Sequence, residues 1–148
     1  MNMIDGWNLT APKPEKLPPP LERKSQAAVI DWANWASGQW PELRFLFAVP
    51  NGDKRSAVTA SLLVSQGVKP GVPDLILPVA RGGFVSLAIE MKRKPNTPTQ
   101  LQREWLNALQ GFGWCALVCY GAGEAITALE AYVKAPRTII GPARLVRE

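Results

Sequence analysis

The most informative absence in this sequence is histidine, of which its 148 residues contain none. Without imidazole, the chain cannot build a histidine base, a nucleophile activated by histidine or a histidine-ligated zinc site. Acid, base and metal chemistry must therefore use carboxylates, lysine or a hard metal ion.

Cysteine is also scarce, and the two that occur, Cys115 and Cys119, lie in one apolar segment. We expect them to be reduced core thiols, as in a cytoplasmic protein. No apolar run approaches the ~20 residues that a membrane span needs. The N-terminus lacks the basic and apolar stretches of a secretory signal. The sequence thus predicts a cytoplasmic protein with no membrane partner.

The charge balance points weakly to a polyanionic partner. The chain has a net charge of +5 and a pI near 9.5. A basic excess favours nucleic acid as a partner, although a modest excess is also common in proteins that bind none. Charge alone does not identify the partner.

The length of the chain suits one domain with a single core. Five prolines among the first 20 residues predict an extended arm over 1–20. A single domain is expected over 21–135, followed by a basic tail over 136–148. We therefore look for one functional site.

The order of apolar and turn-forming segments predicts the fold class. Paired glycines at Gly82-Gly83 favour a tight hairpin, so the strands on either side should be antiparallel neighbours. Together the segments indicate an α/β fold, a mixed β-sheet flanked by helices. The expected elements, in chain order, are a helix over 22–37, a strand over 44–49, a helix over 56–66, strands over 74–79 and 84–92, a helix over 99–112, a strand over 114–120 and a helix over 123–133. The inner face of the helix over 99–112 should carry Leu101, Trp105, Leu106 and Leu109.

Three charged residues can converge on the predicted hairpin. Asp74 opens one strand, and Glu90 and Lys92 end the next. Because side chains alternate across a strand, Glu90 and Lys92 share a face, and the hairpin can bring Asp74 opposite them. Two carboxylates around a common point suit Mg²⁺ or Mn²⁺, which acidifies bound water and offsets charge on a scissile phosphate. The pattern favours phosphodiester hydrolysis, with the lysine beside the attacking water.

The same residues also have a purely structural interpretation. A PD followed by (D/E)xK at this spacing arises by chance in roughly 3 of 100 chains of this length. Asp74 would then be a surface turn residue, and Glu90 with Lys92 a salt bridge at a strand end. The flanking residues are needed to decide.

Those flanks contain three further features. Gly71-Val72-Pro73-Asp74 precedes the hairpin, Ala88-Ile89-Glu90-Met91-Lys92 follows it, and Gln102 stands three residues before Trp105. Over residues 21–133, this arrangement resembles the VRR-NUC family, the virus-type replication and repair nuclease domain of the PD-(D/E)xK superfamily. The resemblance implies a restriction-endonuclease-like core.

The resemblance also implies a function. It indicates a Mg²⁺- or Mn²⁺-dependent deoxyribonuclease that cuts DNA within the strand. Stand-alone members are typical of bacteriophages and look like Holliday-junction resolvases in fold, which suggests junction or branched DNA as substrate, in replication, recombination or repair. The expected location is the cytoplasm of a bacterial or phage-infected cell. The alternative is a DNA-binding or assembly module that keeps the fold without turnover.

Carried over residue by residue, the resemblance assigns roles to five positions. It places the metal carboxylates at Glu22, Asp74 and Glu90, and the catalytic lysine at Lys92. Glu22 taken alone would be a solvated acid in the first turn of a helix. The helix glutamine that completes the catalytic site falls on Gln102, although a register shift of two would exchange it for Gln100.

Basic residues near these positions are candidates for contacts with DNA phosphates. They are Lys54, Arg55, Lys69, Arg93 and Lys94. Each could equally be a solvated surface charge, because one sequence does not distinguish phosphate contacts from solubility charges.

The tryptophans Trp32, Trp35 and Trp40 have a spacing that favours core or subunit packing over stacking on bases. Since a domain this small covers little of a branched DNA, we expect a symmetric homodimer that shares this apolar surface.

Overall fold

The computed structural model describes residues 25–50, 56–139 and 141 of the protein. Some sequence-based predictions fall outside these residues: those on Glu22, Lys54 and Arg55, on the arm over 1–20, and on most of the tail over 136–148. Within the described part, no helix is long and apolar enough to cross a membrane.

The elements follow the predicted order. They are α1 (Ser25–Ala36), a short 3-10 helix (Pro41–Phe45), β1 (Phe47–Ala48), α2 (Ala57–Ser65), β2 (Leu75–Leu77), β3 (Leu87–Lys92), α3 (Gln100–Gly111), β4 (Cys115–Tyr120) and α4 (Gly121–Lys134). The strands form one sheet in the order β1-β2-β3-β4. The first three run antiparallel, whereas β3 and β4 are parallel. The predicted mixed sheet with flanking helices is confirmed.

The strand expected over 44–49 was too long. A 3-10 helix with Pro41 in its first turn occupies most of that segment, and only Phe47–Ala48 pairs as β1. Proline is preorganised for the first turn of a helix, which explains why the chain turns here before it extends. The strand expected over 74–79 likewise shortens to Leu75–Leu77, since Pro78 has no N–H for the ladder.

The hairpin between β2 and β3 turns where it was predicted. Arg81 and Phe84 exchange both backbone hydrogen bonds across Gly82-Gly83, whose φ angles of 60° and 87° suit glycine. Between this tip and the ladder, the Ser86 hydroxyl donates to the Leu77 carbonyl at 2.9 Å. The hairpin fixes β2 and β3 as neighbours.

Each face of the sheet packs against different helices. Helices α1 and α4 cover one face, in a core that includes Trp32, Leu75, Ile89 and Leu129. Helix α3 covers the other face, in a smaller core of Ile76, Ala88, Leu106, Leu109 and Ala116. Since alternate residues of a strand face opposite sides, Asp74, Glu90 and Lys92 fall in the same rows as Ile76 and Ala88, on the side of α3.

Of two expectations about apolar residues, one is confirmed and one needs correction. Trp32 is fully buried in the α1–α4 core, and Trp35 and Trp40 pack partly against it, as expected for core packing. Leu101, expected on the inner face of α3, is 48% exposed. Most apolar residues of α2 are exposed, among them Val58, Leu62 and Val64, and no residue of that helix is buried.

The cysteines lie where the sequence placed them. Cys119 is buried, Cys115 is half-buried, and both are free. Burial raises the pKa of the Cys119 thiol to about 11, so it stays protonated and unreactive at neutral pH. Both residues serve the core.

The hairpin end of the sheet is closed by polar contacts. Arg81 pairs with the buried carboxylate of Glu42 in the 3-10 helix and donates to the carbonyl of Ala135 after α4. Tyr132 of α4 donates its hydroxyl proton to the Val79 carbonyl at 2.6 Å. These contacts tie three segments together at the end of the sheet opposite to Asp74 and Lys92.

Candidate metal centre

Glu90 is the most deeply buried of the predicted site residues, with 1% of its surface exposed. Two donors converge on its oxygen Oε1: Gln102 Nε2 at 2.6 Å and Lys92 Nζ at 2.8 Å. Oxygen Oε2 is also buried and has no hydrogen-bond partner among the described residues. Because a buried acceptor without a donor is costly, Oε2 is an available ligand for a cation.

Asp74 lies opposite Glu90 across the β2–β3 ladder. Leu75 pairs with Ile89, and continuing the register by one residue sets Asp74 against Glu90. The half-buried Asp74 accepts a hydrogen bond from the Met91 N–H through Oδ2 at 2.8 Å. This bond holds the carboxylate against β3, where two negative groups share one small region.

The electrostatics of Glu90 follow from this crowding. Burial is the main cause that raises the pKa of its carboxyl above the ordinary value of 4.5, and the charge of Asp74 raises it further. Lys92 acts in the opposite direction through its hydrogen bond and its charge. A divalent cation would relieve the repulsion between the two carboxylates that Lys92 offsets only in part.

The donor set fits a hard cation. Asp74 and Glu90 supply carboxylate oxygens, and Mg²⁺ is commonly held by one or two carboxylates with waters and phosphate oxygens as further ligands. In the described part of the chain, no group of three or more acidic or cysteine side chains forms a complete cage. The third carboxylate that the resemblance implies, Glu22, is outside that part. The two-carboxylate site therefore fits Mg²⁺ or Mn²⁺, and whether Glu22 joins it stays a prediction.

Lys92 forms an ion pair with Glu90, as the structural interpretation of the motif also expects. The pair is not a surface salt bridge, however, because the side chains of Lys92 and Glu90 are only 15% and 2% exposed. A largely buried pair beside a second carboxylate differs from the weak exposed pairs found at strand ends. The burial therefore excludes a solvated surface salt bridge at these two residues.

Helix α3 delivers Gln102 to the site. Thr99 caps the helix, and its side chain and backbone form a reciprocal capping box with Gln102. Gln100 instead donates to Glu104 on the exposed side of the helix at 3.1 Å. The geometry thus brings Gln102, and not Gln100, to Glu90, while its catalytic role stays a prediction.

The same helix also positions the loop before Asp74. Gly71 has a φ of 85°, and a Cβ at this position would come within 3.0 Å of the Leu101 backbone. Trp105 donates its indole N–H to the Pro70 carbonyl at 3.1 Å, and Pro73 is fully buried. Trp105 was expected on the inner face of α3 and Gly71 was only a family marker, so their contacts between α3 and the loop before Asp74 were not predicted.

The predicted DNA-binding residues that the structure describes are in the loop before Asp74 and directly after β3. Lys69, Arg93 and Lys94 are exposed. Lys94 Nζ lies 5.9 Å from the ring centre of Tyr120, which pairs with Lys92 in the β3–β4 register. Tyr120 is a neighbour of the site that the sequence did not suggest.

A mixed sheet between helices, with Asp74, Glu90 and Lys92 at one end of its two central strands, defines a PD-(D/E)xK-like fold. The model of the VRR-NUC domain family matches residues 22–123, more than half of the chain, and the protein belongs to this family. A solved structure described as "VRR_NUC domain protein" is 28% identical, with a TM-score of 0.68, and the match covers 83% of this chain and 96% of that one. Comparison with curated proteins gives no match. Family membership indicates a nuclease-type function in DNA processing.

The close approach of Gly71 to α3 gives a first prediction. Gly71→Ala should lower the free energy of unfolding and weaken Mn²⁺ binding, because the added Cβ pushes the loop before Asp74 away from Leu101. Gly67→Ala is the matched control, since its φ of 96° imposes similar strain with no atom within 4 Å of the added Cβ. That control should lose about 1–3 kcal/mol of stability from strain alone and keep its affinity for Mn²⁺. Urea unfolding and calorimetry measure both, and equal losses of affinity would contradict the argument.

The raised pKa of Glu90 gives a second prediction, for the protein without metal. A carboxyl whose pKa is higher in the folded than in the unfolded state stabilises the fold below its unfolded pKa, near 4.5, and this contribution is lost as pH rises through the folded pKa. Glu90→Gln should therefore be more stable than the native protein near neutral pH, and the difference should vanish at acid pH.

Urea unfolding in the presence of a chelator, at several pH values, measures this difference. The exposed Asp31 of α1 supplies the control, since Asp31→Asn makes the same chemical change at a carboxylate that is not buried. Added Mn²⁺ should stabilise the native protein and not Glu90→Gln. A Glu90→Gln protein that is less stable than the native protein at every pH would show that the ionised Glu90 does not destabilise the fold.

Proposed function

We propose that the protein is a Mg²⁺- or Mn²⁺-dependent endonuclease that hydrolyses DNA phosphodiester bonds. The observation that carries the proposal is the buried Glu90 carboxylate, whose Oε2 has no donor among the described residues and lies on the same side as Asp74. A buried carboxylate with one unpaired oxygen, next to a second carboxylate, lowers the stability of the fold unless a metal cation binds there. The family supplies the nuclease class, and this geometry supports metal dependence.

The residues that would hold the cation are Asp74 and Glu90, with Glu22 as the expected third carboxylate. When bound, such an ion activates a water molecule and offsets charge on the phosphate. Gln102 keeps Glu90 oriented through its 2.6 Å hydrogen bond. The carboxylates therefore bind, and the glutamine orients.

Lys92 is the remaining functional group. Its ammonium has three N–H donors, one of which contacts Glu90 Oε1 at 2.8 Å. The others can orient an attacking water or donate to a phosphate oxygen as negative charge develops. The chain has no histidine that could take this role. Among the described residues, Lys92 is the cation that contacts Glu90.

The proposed substrate is DNA, and we extend the proposal to branched or junction DNA in replication, recombination or repair. Exposed Lys69, Arg93 and Lys94, with Lys54 and Arg55, would contact phosphates, so binding should weaken as salt rises. Labelled duplex, flap, fork, four-way junction and single-stranded DNA, cut side by side, test the shape preference. Equal cleavage of all five would remove it and leave the nuclease intact.

Substitutions at the site separate metal binding from chemistry. Asp74→Ala and Glu90→Ala should weaken Mn²⁺ binding and abolish nicking of plasmid DNA, because each removes an oxygen ligand. Lys92→Ala should lower the rate of DNA cleavage by about two to three orders of magnitude. It should nevertheless keep the metal and bind it slightly more tightly at neutral pH, since a repelling cation is gone. Calorimetric Mn²⁺ titration beside the nicking assay measures both effects.

Exposed residues away from the site provide the controls. Asp31→Ala and Lys134→Ala should change neither metal affinity nor nicking. If Lys92→Ala cuts at the native rate, or if both carboxylate variants bind metal and cut, Glu90 and Lys92 form only a structural ion pair. DNA binding by the native protein with no cleavage under any metal would favour the non-catalytic module instead.

We further propose that the protein acts as a symmetric homodimer. The tryptophans that first suggested this belong to the core, but α2 now supplies an exposed apolar surface. Val58, Leu62 and Val64 on this helix are 79%, 56% and 62% exposed. An apolar helix with no buried residue is a surface typical of subunit contacts.

Light scattering at tens of micromolar protein tests the dimer. The native protein should have twice the mass of one chain, and Leu62→Glu should shift it to a monomer by burying a charge in the contact. Ile139→Glu, at an exposed apolar residue outside α2, should remain dimeric. A native monomer both with and without DNA would remove the proposal.

A further inference from the structure

We propose that Thr99 is a positioning residue for the candidate metal centre. Its main-chain N–H fixes the orientation of the Gln102 amide and thereby leaves Glu90 Oε2 as the oxygen that would be available to a cation. This inference rests on the proposed metal-dependent function. Thr99 itself is exposed and contacts neither Glu90 nor Asp74 through any described hydrogen bond.

The first step is the capping box at the start of α3. The Thr99 N–H donates to Gln102 Oε1 at 2.9 Å, and the Gln102 N–H donates to Thr99 Oγ1 at 3.3 Å. With Oε1 occupied by a donor, the amide nitrogen Nε2 must point the other way. It points at Glu90 Oε1, 2.6 Å away.

The second step is that the opposite amide orientation is excluded from both sides. Turning the amide over would set Gln102 Oε1 against a carboxylate oxygen and Nε2 against the Thr99 N–H. Both contacts would be repulsive. The Thr99 N–H therefore selects the orientation that donates to Glu90.

The third step concerns the carboxylate. Gln102 Nε2 and Lys92 Nζ both bind Oε1, which pins the carboxylate and leaves Oε2 buried without a donor. Without the glutamine, the carboxylate would be held by Lys92 alone and could turn to share its two oxygens. The capping box thus controls which oxygen of Glu90 is available.

The residue type at position 102 supports this role. Glutamate closes a capping box as well as glutamine does, because only an acceptor is needed for the N-cap N–H. Glutamate has no donor for Glu90, however, and would add a negative charge beside it. Helix capping alone does not explain Gln102, whereas capping combined with donation to Glu90 does.

Three substitutions at Thr99 isolate the N–H. Thr99→Ser keeps both hydrogen bonds, Thr99→Ala removes only the one to Oγ1, and Thr99→Pro removes both. Proline is compatible with the φ of −67° at this residue. The alanine and proline variants both lose the hydrogen bond to Oγ1, so both lose the side-chain helix cap. Any difference between them therefore reports on the N–H of residue 99.

The first readout is Mn²⁺ affinity by calorimetry. Thr99→Ser should match the native protein, and Thr99→Ala should lose a small factor. Thr99→Pro should bind about ten to a hundred times more weakly than the native protein, the range typical of groups that orient a metal ligand. If Thr99→Pro binds Mn²⁺ as tightly as Thr99→Ala does, the proposal is overturned.

The second readout needs no metal. The side-chain amide protons of Gln102 should exchange slowly in the native, serine and alanine proteins, as seen by ¹⁵N NMR, and rapidly in Thr99→Pro. If native protein fails to bind Mn²⁺, the proposed function falls, and these signals alone still decide whether Thr99 orients Gln102. Unchanged Gln102 signals in folded Thr99→Pro would overturn the inference.

A second variant guards against a proline protein that does not fold. Replacing the Pro98–Thr99 amide by an ester removes the N–H and keeps the Thr99 side chain. It should reproduce the loss of Mn²⁺ affinity and the faster Gln102 exchange with the helix cap retained at Oγ1. An ester protein that behaves like the native one would contradict the proposal.

Discussion

The packing of helix α3 against the sheet is the contact on which the site depends. One turn of this helix contacts both sides of the candidate metal centre, because Gln102 donates to Glu90 and Trp105 donates to the loop before Asp74. The close approach of Gly71 to the helix backbone lies beside the Trp105 contact, so this loop packs directly against α3. Two carboxylates that repel each other are thus held together by neutral donors, by the Lys92 cation and by packing.

The two faces of the sheet differ in role: one carries most of the apolar core, and the other carries the candidate site. The larger apolar core lies between the sheet and helices α1 and α4, and the polar closure by Arg81 and Glu42 sits at the hairpin end. The α3 face has a smaller core and carries the buried charge of Glu90. Burying a carboxylate costs stability, and functional sites commonly carry such a cost, which the rest of the fold must offset.

The sequence predicted those parts of the fold that local rules determine. Gly82-Gly83 defined the hairpin, and alternation along β3 set Glu90 and Lys92 on one face. The short β1 and the exposure of α2 could not be predicted in this way, because pairing length and helix burial depend on what packs nearby. Periodicity for that reason also misplaced Leu101. The position of Gln102 in the first turn of α3 could have been predicted, since a threonine followed by glutamine three residues later is the pattern of a capping box.

Asp74, Glu90 and Lys92 form the least specific part of the motif, because such a pattern also arises by chance. The residues that position them, Gly71, Gln102 and Trp105, are more specific. A chance PD and ExK pair needs no glycine at position 71 and no glutamine in a capping box. Gln102 and Trp105 are three apart, so one helical face carries both, one toward Glu90 and the other toward Pro70. A change of one residue in that spacing would turn one of them away. The spacing between Gln102 and Trp105 thus lets one helix contact both Glu90 and the loop that precedes Asp74.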